Sequence, residues 1–129
     1  MLLEDRIHEL VGEIFPFDGP TASGPGCIVQ SRDFPGQGYD QVIAAAAEDL
    51  LAYVERDPAL MGEPRFALVR HSPYVATLCH RLAHWHWSQG PIEMRRQAMS
   101  ISHYSRTLTG VEIHPGAKIG RRLFIDHGM

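Results

Sequence analysis

Ile113, Ile119 and Ile125 stand six residues apart, with Gly120 directly after the second. A period of six matches neither the 3.6-residue turn of an α-helix nor the two-residue alternation of a half-buried strand. It does match a solenoid of hexapeptide turns, in which each six-residue piece gives a short strand and a turn, and about three pieces close one rung. The aliphatic residue of each piece points into a narrow core. Residues 111–129 supply one rung, whereas about three repeats are ordinarily needed before such a core is stable. The expectation is a β-helix at its first rung: a fragment, a natural truncation, or a chain completed by another polypeptide.

Upstream the pattern is helical. Val42, Ile43, Ala46, Ala47, Leu50, Leu51 and Val54 form one stripe at helical spacing, with Asp40, Glu48, Asp49 and Glu55 elsewhere, so a helix is expected over 39–56. It should end at Asp57, because Pro58 disfavours helical geometry in the residue before it and has no N–H to donate. Ser72-Pro73 opens a second helix over 73–89, closed by Gly90, and Pro91 opens a third that stops at Gly110. A further short helix is expected over Pro64–Val69, and an amphipathic one over residues 2–14. Between Phe15 and Gly38, four prolines and five glycines among mostly polar neighbours read as a linker. The chain thus divides into 1–38, an amino-terminal helix and linker; 39–110, a helical domain; and 111–129, the incomplete coil. The fold class is mainly α, an antiparallel helical bundle leading into the first rung of a parallel β-helix.

Composition narrows the partners. With 129 residues and a net charge of −3, the chain has no excess of basic residues to direct at nucleic acid or an anionic membrane. No apolar run approaches the ~20 residues of a membrane helix, and no secretory signal is present. Cys27 and Cys79 have no paired spacing, as expected of free thiols in a reducing, cytoplasmic compartment. The small basic cluster Lys118, Arg121 and Arg122 reads as a solvated turn.

Three motifs then carry a resemblance. Residues Gly110 to Met129, G-V-E-I-H-P-G-A-K-I-G-R-R-L-F-I-D-H-G-M, with E-R-D-P-A at Glu55 to Ala59 and H-R-L-A-H-W at His80 to Trp85 in the same order, resemble the serine O-acetyltransferases of cysteine synthesis. The match runs from about Tyr39 to Met129. It implies a left-handed coil, and acetyl transfer from acetyl-CoA, a co-substrate and not a bound cofactor, to L-serine, giving O-acetylserine and free coenzyme A. It also implies a homo-oligomer, a trimer or dimer of trimers. His127 falls where the family places its general base; a serine hydroxyl is a poor nucleophile until a base takes its proton, and imidazole titrates in the right range. Glu112 falls where a carboxylate steadies that base, fifteen residues earlier and so close to one rung away. Many family members carry aspartate there. Asp57 and Asp126 match the acids that hold the ammonium group of serine.

Other residues read as structural. His80 and His84 are four apart on one helix face, a spacing zinc sites use, but no third ligand stands at a matching position and His86 points about 200° away from His84, so no metal is expected. The tryptophans and histidines of this stretch read as packing and hydrogen-bonding residues, Arg81 as an ion-pair partner, Cys79 as a buried small residue, and His114 as part of a turn. The resemblance puts the coenzyme A groove, a second histidine, the arginine for the serine carboxylate and the tail of a cysteine synthase complex in later rungs, which are not found here. The chain by itself is therefore expected to be inactive. The alternative is a non-catalytic assembly module, in which substitutions along Val42, Ile43, Leu50 and Leu51 abolish association or folding and His127 is silent.

Overall fold

A computed structural model describes residues 6, 7, 36–60, 62–64 and 72–128. Its helices are α1 (Gly36–Arg56), α2 (Ser72–Ser88) and α3 (Ile92–Thr109), with a 3₁₀ turn at Pro58–Leu60 between the first two. α2 is the central element, packed against both α1 and α3. Only three residues join α2 to α3, and the turn bends at Gly90, whose φ of 100° is a conformation glycine adopts without a Cβ penalty. The two helices fold back on each other as a hairpin.

The helix ends follow the local chemistry. α1 stops at Arg56, one residue before the Asp57-Pro58 pair, and the Asp57 N–H still donates to Tyr53 O at 2.9 Å. α3 ends on Gly110, left-handed at φ 75°, whose N–H donates to Arg106 O at 2.8 Å. α1 begins at Gly36, three residues earlier than its sequence suggested, so the end of the expected linker is helical. Residues 15–35 lie outside the described residues, as does most of the helix expected over 2–14, of which Arg6 and Ile7 are described and helical. The helix expected over Pro64–Val69 lies outside them beyond Pro64.

The core joins Ile7 to Val42, Ile43, Ala46, Ala47, Leu50 and Tyr53 of α1, to Tyr74, Val75, Leu78, Cys79, Leu82 and Ala83 of α2, and to Ile101 of α3. Two assignments on α1 change. Leu51 is 44 % exposed, and Asp49, placed off the apolar stripe by the sequence, is fully buried. The reason is that α1 is covered on two flanks: α2 packs on one, and residues of the 119–125 segment hydrogen-bond to the other. Val42, Ile43 and Leu50 are therefore buried within the chain itself, and of the four stripe residues named for assembly only Leu51 faces outward.

Among the described residues no strand forms after α3; residues 111–128 run as irregular chain with a turn at 115–116 and bends at 121–122 and 126–127. This segment is fastened back onto the bundle. Ser102 Oγ donates to Ile113 O at 2.7 Å, and His84 Nδ1 lies 2.8 Å from Pro115 O. Gly116 sits against Trp87, where an added Cβ would lie 3.0 Å from the indole nitrogen. Among the described residues no helix is long and apolar enough to cross a membrane.

Candidate functional site

The site begins with a buried ion pair. Arg81 Nε donates to Asp49 Oδ2 at 2.7 Å and Nη2 to Asp49 Oδ1 at 2.9 Å, a bidentate match of planar groups that ties α2 to α1. The remaining Arg81 donors reach the segment after α3: Nη1 to Ile119 O at 2.8 Å and Nη2 to Gly120 O at 2.7 Å. Asp49 Oδ1 also accepts the Leu123 N–H at 2.8 Å. A buried carboxylate needs such a set of donors, since desolvation without them would cost several kcal/mol. Arg81 is thus the ion-pair residue the sequence suggested, and Asp49 is its partner.

One helical turn further along α1, the Tyr53 hydroxyl accepts the Ile125 N–H at 3.0 Å and is hydrogen-bonded to Thr77 Oγ1 at 2.8 Å. Phe124 packs edge-on against the Tyr53 ring, centroids 5.1 Å apart. Burial raises the Tyr53 pKa above its ordinary value, so the phenol stays protonated and remains a neutral hydrogen-bonding group. Outside this array, Arg122 pairs with Glu55 and Arg121 Nε lies 3.5 Å from Glu48. The basic cluster is exposed to solvent, and two of its members also face acids of α1.

Beyond Tyr53, a cleft of about 540 Å³ opens where α1 ends; its lining includes Arg56, Asp57, Phe124, Asp126 and His127, with Ser72 and Pro73 from α2 and Thr109 from α3. Asp57 is held in place by the Pro58 turn: its Oδ1 accepts the Ala59 N–H at 2.9 Å. His127 is left-handed at φ 62°, a conformation uncommon outside glycine and one that a functional site has reason to keep. Gly128 follows at φ 85°, and a Cβ there would stand 2.7 Å from Ile125 Cγ2. The backbone is thus tucked against Ile125 at Gly128, while the His127 side chain is 87 % exposed beside the cleft.

The sequence-predicted residues separate into two groups. Asp57, Asp126 and His127, seventy residues apart at their extremes, line one cleft. Glu112 is not part of that lining; its carboxylate lies 3.6 Å from Arg106 Nη1. The acid beside His127 is Asp126, with Oδ1 3.7 Å from Nε2, beyond hydrogen-bond reach. Sequence reasoning missed Asp49 and Tyr53, although Asp49, Tyr53 and Asp57 are spaced by four and so share a face of α1. It also missed Arg56, Ser72, Thr109 and Phe124 as lining residues. Chemically, two carboxylates and an imidazole at an open cleft suit a small cationic or zwitterionic ligand whose proton is to be taken.

The histidines of α2 are integrated into the packing. His80 is 3 % exposed, its ring stacks on His84 with centroids 5.7 Å apart, and neither ring nitrogen makes a well-formed hydrogen bond. Burial, then the neighbouring His84 and Arg81, push its pKa down to about 4, against a smaller opposing pull from the Ala117 backbone. The buried Cys79 thiol is pushed up to about 12 by desolvation, which leaves it unreactive as a nucleophile. His114 Nδ1 accepts the Gly116 N–H at 2.9 Å and its ring meets Trp87 edge-on, the turn role expected of it. Among the described residues no three His, Cys, Asp or Glu side chains converge as a metal site would require.

The helical scaffold thus places a helix-end acid and an acid–histidine pair of the 111–128 segment on one open cleft. No family model matches the chain, and no solved structure matches it. Curated proteins do. The chain is 46 % identical over 84 residues to the serine acetyltransferase of Synechococcus elongatus, covering 64 % of this chain and 32 % of that protein. It is 44 % identical over 87 residues to that of Mycobacterium tuberculosis, covering 67 % and 36 %, and 42 % identical over 82 residues to that of Staphylococcus aureus, covering 64 % and 37 %. The chain spans about a third of the length of these relatives, and over the matched stretch it is similar to serine acetyltransferases.

Proposed function

We propose that this chain forms part of a serine O-acetyltransferase, moving an acetyl group from acetyl-CoA to the hydroxyl of L-serine. The observation that carries the reading is the meeting of Asp57 with Asp126 and His127 at one cleft. In this reading the two carboxylates hold the ammonium group of serine, and His127 takes the hydroxyl proton as the oxygen attacks the thioester carbonyl. The C–S bond then breaks and coenzyme A leaves as the thiol. Glu112 keeps its assignment as the carboxylate that steadies the imidazole, a role that requires it to turn from Arg106 toward His127 when substrate binds. A turn at 115–116 and a bend six residues on, at 121–122, support a left-handed β-helix there, following a helical domain over 39–110 and an amino-terminal region over 1–38. Homo-oligomers, a cysteine synthase complex and a cytoplasmic setting accompany the same reading.

The test is serine dependence in the polypeptide produced from its native locus. Asp57→Asn keeps the Pro58 turn but removes the charge, and is expected to raise KM for serine by about ten-fold or more, with KM for acetyl-CoA unchanged. Coenzyme A release that does not depend on serine would overturn the reading.

A further inference from the structure

We propose that Asp49 and Tyr53 are positioning residues for this acetyl transfer: they hold the segment 123–127 in register against α1, so that His127 arrives at the cleft opposite Asp57. The geometry is a ladder between a helix and the chain over 123–125, which precedes the bend at 126–127. Four residues of helix advance about 6 Å along its axis, and two residues of extended chain advance about 6.6 Å. Asp49, Tyr53 and Asp57 follow one another at four-residue steps, and Leu123, Ile125 and His127 at two-residue steps. The first pairing is the Leu123 N–H on Asp49 Oδ1 at 2.8 Å, and the second is the Ile125 N–H on the Tyr53 hydroxyl at 3.0 Å. Past Ile125 the chain bends at 126–127, and Asp57 and His127 both line the cleft. Each of the two made pairings is locked from the far side by α2, Asp49 by both arms of Arg81 and Tyr53 by Thr77. Arg81 adds two bonds to the carbonyls of Ile119 and Gly120, which fixes the start of the same segment. A shift of one residue would turn alternate N–H groups away from α1 and carry His127 out of line with Asp57.

The role in transfer rests on the acetyltransferase reading, whereas the register does not, and the experiment separates them. Tyr53→Phe keeps the ring against Tyr74 and Phe124 and removes the acceptor for Ile125. Tyr74→Phe is the control, since it deletes a buried hydrogen bond to Ala46 O of similar length, 3.0 Å, away from the 123–127 segment. Amide hydrogen exchange at Ile125 is expected to quicken about ten-fold in Tyr53→Phe and not in Tyr74→Phe. In the native polypeptide, Tyr53→Phe is expected to lower kcat about ten-fold with KM for acetyl-CoA unchanged, and Tyr74→Phe to leave both as they were. Equal exchange in the two variants, or none gained in Tyr53→Phe, overturns the register and the proposal with it. Faster exchange with kcat intact overturns the positioning role while the acetyltransferase reading stands. An unsubstituted protein that releases no coenzyme A with serine removes that reading and the positioning role together, and leaves the register as a feature of the fold alone.

Discussion

Asp49, on α1, and Asp57, directly past its end, are carboxylates eight residues apart, and they face opposite demands. Asp49 is fully buried and saturated, with both oxygens on Arg81 and one also taking the Leu123 N–H. Asp57 stands at the helix exit on an open cleft, with Oδ1 engaged by its own turn. A charge closed in by donors fixes the geometry around it, whereas one at an open cleft keeps contact with solvent. α1 and the residue that follows it therefore carry both the anchor and the candidate contact, and precision at the second depends on rigidity at the first.

The contrast breaks most visibly at the anchor. Arg81→Met leaves the Asp49 carboxylate buried with a single remaining backbone donor, and is expected to cost about 3–5 kcal/mol of stability, measured by chemical denaturation. A loss under about 1 kcal/mol would mean that Asp49 is not closed off from water. The stripe on α1 gives the next test. Leu50→Ala, at a fully buried position, should cost about 2–5 kcal/mol, while Leu51→Ala, at an outward one, should stay within about 0.5 kcal/mol. Equal losses would contradict the orientation of α1.

A smaller, pH-dependent effect sharpens the same division. His80, buried beside Arg81, has its pKa lowered from 6.5 to about 4, so between those values the unfolded chain binds the proton and the folded chain does not. Its neutral form supports the fold fully above about pH 6.5, and that support is lost as the pH falls toward 4, by up to on the order of 3 kcal/mol. Denaturation midpoints between pH 7 and pH 4 should fall less steeply in His80→Leu than in the unsubstituted protein. Parallel slopes would remove His80 from the acid response.

Local signals were legible in the sequence and distant ones were not. Pro58 announced the end of α1, and Gly110 announced the end of α3 by the left-handed cap it forms. Both are decisions made within a few residues. The burial of Asp49 depends on Arg81, 32 residues away, and on Leu123, 74 residues away, so no periodicity in α1 revealed it. Instead the helical stripe was drawn through Leu51, because a one-sided amphipathic pattern cannot register that a second flank is covered by chain from beyond α3. At the site, Asp57, Asp126 and His127 were found through the motifs that contain them, and the structure brings all three to one cleft. Glu112 was assigned beside His127 by resemblance and a separation of about one rung, and its exposed carboxylate lies 3.6 Å from Arg106 Nη1, a neighbour that such a count does not reveal.

The most direct measurement is coenzyme A release from acetyl-CoA in the presence of L-serine, comparing the native polypeptide with its His127→Ala variant. The turnover number is expected to be lower by roughly 10²- to 10⁴-fold in the variant, the range for a positioned acid or base. An unchanged turnover number would contradict it, and would leave His127 as an exposed residue at a left-handed turn.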